Sequence, residues 1–187
     1  MAPVSVPDER DLLLRLLDNQ RAALRNALLG LTEEQARATP SASELSLSAL
    51  VKHVTQGERA NVAGRIGRRP HALESDPQTE WMAGFTVAAG ETVEVLLDRQ
   101  AEVARETEEV VRAERDLDRV VDVPDGVAQW LPPGTVFTVR WLLLHQVEEQ
   151  ARHAGHADVI RESTDGKGAW QLEAEAQGIA APTWSRR

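Results

Sequence analysis

The chain has 187 residues, the size of one globular domain with an attached tail, and its 42% hydrophobic content is enough for a core. The 30 Asp and Glu exceed the 21 Lys and Arg, a formal charge of −9 that argues against nucleic acid and anionic membrane surfaces as partners. With no Cys there is neither a disulfide framework nor a thiolate metal site, so a metal would be held by His, carboxylate or carbonyl groups. No stretch approaches the roughly 20 apolar residues of a membrane span, and Met1 to Asp11 lacks an apolar signal core, so a cytoplasmic protein is expected.

Residues Pro7 to Leu29 carry Leu12, Leu13, Leu16, Leu17, Ala23, Leu24 and Leu28 at spacings of three and four, a first helix stopped by Gly30. Thr32-Glu33-Glu34-Gln35 reads as a short helical turn. A second helix follows, capped by Ser43 or Ser46, with Leu47, Leu50, Val51 and Val54 on its stripe, and runs to about Ile66. Gly67 to Phe85, with Pro70 and Pro77, reads as a long loop, in which His71 is a solvated residue beside Arg68 and Arg69.

Val87 to about Arg115 forms a third, Glu- and Arg-rich helix carrying Val93, Leu96, Leu97, Val103, Val110 and Val111. Leu117 to Gly134 is a second irregular connection with room for a short extended stretch. The fourth helix spans about Thr138 to Glu162. Beyond Asp165-Gly166 comes a tail of little periodicity, whose Trp170 and Trp184 are expected to pack onto the bundle. The pattern predicts an all-α four-helix bundle with long connecting loops over residues 1–166, and a packed C-terminal tail over 167–187.

The fourth helix holds three of the five histidines. At about 100° per residue, with Glu149 at zero, His145 falls at about −40°, His153 at about +40° and His156 at about −20°. Leu142, at about +20°, shares their arc, so this face is expected to point into the bundle. Buried polar groups need partners. The four could be a row of core residues satisfied by backbone, Arg and Glu, or they could hold a metal. Glu149 and His153, at i and i+4, offer a carboxylate and an imidazole to one point. On the second helix His53 is the candidate for a third ligand, flanked on its own face by the small residues Ala49, Gly57, Ala60 and Gly64. Those residues allow either close helix packing or a cavity.

The run Arg140-Trp141-Leu142-Leu143-Leu144-His145, continued by Glu149-Gln150-Ala151-Arg152-His153-Ala154-Gly155-His156-Ala157-Asp158, resembles the last helix of the actinobacterial branch of the DinB-like superfamily. Leu50-Val51-Lys52-His53 followed by Glu58-Arg59 resembles that family's first ligand segment, and the helix order matches over residues 8–166. The resemblance implies a bundle holding a divalent metal, zinc or nickel, through three side chains. Many members use three His; the branch similar to mycothiol-dependent maleylpyruvate isomerases uses His, Glu and His, which selects His53, Glu149 and His153. Two His with one carboxylate also match non-haem Fe(II) sites. His145 and His156 then become groups of the catalytic pocket outside the ligand set.

Relatives in this branch resemble S-transferases that take mycothiol as co-substrate, so the resemblance implies a metal-activated thiolate attacking an electrophilic small molecule. A bound thiol loses its proton far more readily than a free one. Arg59 and Arg152 are candidates for co-substrate contacts, as is Arg161, although surface ion pairs account for arginines equally well. A homodimer is a family-level expectation. With 187 residues the chain is expected to be without the additional C-terminal domain of the isomerases, which disfavours isomerisation, and Asn61 and Val62 stand where relatives carry aromatics. Two other readings follow from the same residues: metal-assisted hydrolysis or isomerisation with Glu148 or His145 as proton acceptor, and a non-catalytic small-molecule-binding bundle.

Overall fold

A computed structural model describes residues 8–69, 79, 82–122 and 134–181. His71, Trp184 and most of the connections predicted after Gly67 and after Asp122 lie outside those residues. The described elements are α1 (Glu9–Ala27), α2 (Glu33–Arg37), α3 (Leu47–Glu58) continued by a π-helix (Arg59–Ile66), α4 (Val93–Ala113), β1 (Val120–Val121), β2 (Phe137–Thr138), α5 (Val139–Asp165) and α6 (Ala169–Gln177).

Local chemistry sets most boundaries. Asp8 accepts from the Arg10 N–H at the start of α1, and Thr32 with Gln35 forms a reciprocal capping box on α2. Ser46 caps α3, accepting from the Ala49 N–H at 3.2 Å. The third long helix starts at Val93 and not at Val87, because the Thr92 hydroxyl caps it and Gly90 would weaken any earlier turn. Thr138 caps α5, which ends at Gly166 in the left-handed region at φ 80°. The extended stretch is a two-residue antiparallel ladder pairing Val120 with Thr138 and Val121 with Phe137.

The helices run up, down, down, up. Leu24, Leu28, Leu47, Leu50, Val54, Leu96 and Ile160 make one apolar cluster. Leu13, Leu14, Val62, Ile66, Val110, Val111, Leu142 and Leu143 make the other. The N-terminal halves of α1 and α5 therefore sit at the end where the π-helix and α4 finish, and the chain must cross back along the bundle between the π-helix and α4. Arg37 anchors the last part of that crossing by donating to the carbonyls of Val87, Ala88 and Glu91, at 3.3, 3.0 and 2.9 Å.

Between the two clusters lies a polar waist to which each of the four long helices contributes. Glu58 of α3 is 1% exposed and accepts from Arg21 Nε of α1 at 3.1 Å, Thr107 Oγ1 of α4 at 2.5 Å and Gln150 Nε2 of α5 at 2.6 Å. A second Arg21 nitrogen donates to the other Glu58 oxygen, making the pair bidentate. A second buried arginine closes the far end: Arg161 of α5 donates to the Ala27 and Leu29 carbonyls, both at 2.9 Å, and pairs with Asp165. These are carbonyls that the end of α1 leaves without helical partners.

The tail is more ordered than its lack of periodicity suggests. Helix α6 packs through Leu172 and Ala174, which are 1% and 4% exposed. Trp170, expected to pack, is instead 67% exposed, because the helical register that buries Leu172 turns the indole outward.

Candidate functional site

The buried face of α5 carries Leu142, Leu143, Gln146, Gln150, Ala154, Ala157, Ile160 and Arg161. The expectation that the His and Glu row points into the bundle is corrected by this arrangement. The core direction is taken by Gln146 and Gln150, which lie about 60° and 100° around from Glu149. The row stands on the rim: the side chains of His153, Glu149 and His145 are 14%, 32% and 32% exposed. A rim position suits a site that must admit a small molecule.

Helix α3 runs antiparallel to α5 and brings His53 against His153. Their ring centroids are 5.0 Å apart in an edge contact at 74°. Phe85, from the segment before α4, stacks on the other side of His53 at 4.0 Å. Glu149 Oε2 lies 3.6 Å from His153 Nε2, and His153 Nδ1 is buried without a hydrogen bond. Burial, reinforced by the neighbouring His153, pushes His53 down to about 4, against the pull of Glu149. Burial likewise lowers His153, opposed by Glu149. Both imidazoles are thus held neutral at pH 7.

The three groups are neighbours and not a closed shell: among the described residues no set of three or more His, Asp and Glu side chains is arranged to hold a cation. Their chemistry fits one. Two donors about 2.0–2.1 Å from a tetrahedral zinc stand roughly 3.3 Å apart, close to the 3.6 Å between His153 and Glu149. That distance is too long for a hydrogen bond.

The remaining predicted residues separate. His145 is on the same rim two turns away, its ring stacked on Trp141 at 4.8 Å and its Nδ1 3.6 Å from Glu148. His156 is half-buried beyond His153. Arg152 is 69% exposed and reaches toward Glu148 at 3.7 Å. Arg59 turns to α4, where it meets Glu106 at 2.8 Å, so it is a surface ion pair away from the histidines. Arg161 belongs to the capping contact on α1.

Sequence reasoning missed Phe85, the Asn61–Gln146 hydrogen bond of 3.1 Å and the Glu58 waist. Glu58 had a signal: it falls four residues after Val54 and seven after Val51, on the apolar stripe, where a carboxylate requires a buried partner. Phe85 had none, because its contact with His53 spans a connection of irregular sequence.

The layout is that of a DinB-like four-helix bundle with a cluster of neutral imidazoles and a carboxylate on one rim. A solved structure described as the conserved protein of locus from Enterococcus faecalis is similar, with a TM-score of 0.67 over 87% of this chain and 100% of its own at 19% identity. No curated protein matches the chain. The profile of the mycothiol S-transferase family matches residues 12–166, and the chain belongs to that family. Among the described residues no helix is long and apolar enough to cross a membrane.

Proposed function

We propose that the chain is a metal-dependent S-transferase in which His53, Glu149 and His153 hold a divalent cation, zinc in the first instance, and mycothiol is the thiol. The supporting observation is the meeting of two neutral imidazoles from separate helices beside a carboxylate, with His153 Nε2 and Glu149 Oε2 3.6 Å apart, in a chain of the mycothiol S-transferase family. A cation on two imidazoles and one carboxylate keeps positions open and lowers the pKa of a thiol that binds there.

The chain's own residues supply the rest. Phe85 fixes the His53 ring plane, and Glu149 faces His153 across a gap of one ligand pair. His145, with Glu148 beside it, lines the exposed side of the rim, where it can accept the proton the thiol gives up. His156 flanks His153 on the opposite side. In the reaction the sulfur forms a bond to the electrophilic carbon, the leaving group departs with its bond pair, and the thiol proton passes to His145 or water.

Metal analysis of tag-free wild type beside His53→Ala and Glu149→Ala tests the reading. Near one equivalent of zinc in the wild type, lost in both folded variants, is expected, followed by mycothiol conjugation to a bimane electrophile by the loaded wild type. A folded wild type that takes up no metal on reconstitution refutes the site. Full metal without conjugation refutes the transfer.

A further inference from the structure

Arg65 occupies an unusual position. It lies on the π-helix that prolongs the His53 helix, four residues beyond Asn61, whose amide bonds Gln146 of α5. The segment closes with long-period bonds, Gly67 N–H to the Val62 carbonyl at 2.8 Å and Arg69 N–H to the Ala63 carbonyl at 3.1 Å. In such a helix a residue four positions on remains close to the same side, so Arg65 continues the edge marked by His53, Gly57 and Asn61. The antiparallel pairing of His53 with His153 and of Asn61 with Gln146 carries on to set Arg65 opposite the first turn of α5. Val62 and Ile66, on either side of it in sequence, pack with Val139 and Leu142 there.

Arg65 is half-buried, yet it makes no hydrogen bond or ion pair among the described residues. The other well-buried arginines are all matched: Arg21 by Glu58, Arg119 by Glu114 and Arg161 by Asp165. Burial pulls the Arg65 pKa down with no carboxylate to restore it. A half-buried guanidinium without an anion is an unfilled bidentate donor for one. Between Arg65 and the histidines this edge carries the Asn61–Gln146 bond and Gly57, where an added Cβ would meet no atom within 4 Å among the described residues. On the first turn of α5, Trp141, 42% exposed and stacked on His145, offers a flat aromatic surface.

We propose that Arg65 determines acceptor specificity by binding a carboxylate on the electrophile, so that the preferred acceptors are flat, anionic molecules. This rests on the transfer reading above. The 12 positions from His53 to Arg65 span at most about 18 Å along the helix. Helical side chains lean toward the N-terminus, the His53 ring as well as the Arg65 guanidinium, so the two stay within that span of each other. The bound thiol and the acceptor, from its reactive carbon to its carboxylate, together bridge that span.

The probes are 4-(iodoacetamido)benzoate and its methyl ester, which share the reactive carbon and the iodide leaving group and differ in charge. The sulfur bonds the methylene carbon, iodide leaves with the C–I pair, and the thiol proton goes to solvent; the chain itself has no Cys to be alkylated. Wild type is expected to favour the acid over the ester at least tenfold in kcat/KM. Arg65→Gln should erase that preference and Arg65→Lys keep part of it, with metal content and the KM for mycothiol unchanged. Equal use of acid and ester by wild type, or an unchanged preference in Arg65→Gln, overturns the proposal.

A second measurement is independent of turnover. The unreactive 4-acetamidobenzoate, titrated calorimetrically into metal-free protein, should bind wild type at least tenfold more tightly than Arg65→Gln. Binding that ignores the substitution refutes the role of Arg65. Arg65-dependent binding without any thiol transfer upholds it while the transfer reading falls.

Discussion

Replacing Glu58 by Gln tests the waist of the bundle. The carboxylate accepts from two nitrogens of Arg21, from Thr107 and from Gln150, all with buried donors. A Gln of the same shape removes the charge and sets an NH2 against donors, so at least two of the four bonds are lost, and Arg21 keeps only Asp18, whose side chain is 67% exposed. Bonds to charged groups contribute about 1.5–3 kcal/mol each, and breaking a buried pair from one side costs about 3–5 kcal/mol. We expect a loss of about 4 kcal/mol in urea unfolding with an unchanged m-value, and a Tm lower by roughly 8–16 °C for a chain of this size. The double variant Arg21→Met/Glu58→Met removes both charges together and leaves only the Thr107 hydroxyl and the Gln150 amide unpaired. It should cost about 2 kcal/mol, less than either single change. A double variant as costly as the two singles added together would refute the coupling, and a Glu58→Gln cost below about 1 kcal/mol would show a solvated waist.

Two glycines of the same helical run should respond with opposite sign. A Cβ on Gly67 would meet the Ala63 carbonyl oxygen at 2.7 Å and Val110 Cγ2 at 2.8 Å, so Gly67→Ala should destabilise by about 1–3 kcal/mol. Gly57→Ala, with open space and helical backbone, should stabilise by about 0.5–1 kcal/mol, and chemical unfolding of the two proteins checks both. Acid stability should depend on Glu91, which accepts from Lys52 Nζ at 2.8 Å, from the Ala88 N–H at 2.9 Å and from Arg99. These donors outweigh the upward push of burial and hold its carboxyl down at about 2. The folded group is thus the stronger acid, and its contribution is full above the unfolded value near 4.5 and disappears as the pH falls toward 2. Thermal unfolding should therefore show a steeper Tm loss between pH 4.5 and 2 in wild type than in Glu91→Gln; parallel slopes would contradict this.

The features readable from the sequence are those that neighbouring residues decide. Ser46 and Thr138 mark helix starts because a cap is an interaction across a few residues, and Glu149 and His153 are paired by one turn of helix whatever surrounds them. The family likeness rests on the same local runs. Which face of α5 is buried is a different matter. Periodicity grouped Leu142 with the histidines, yet the choice between that arc and the one through Gln146 and Gln150 depended on where Glu58 and Arg21 arrive from other helices. The π-turns after Glu58 likewise escaped a 3.6-residue reading, since their bonds form where Val62 and Ile66 pack against Val139 and Leu142. The contact of His53 with His153 and Phe85, the solitary Arg65 and the outward Trp170 belong to the same class. Each is fixed by the docking of segments distant in sequence, and its energy appears only once the bundle has assembled.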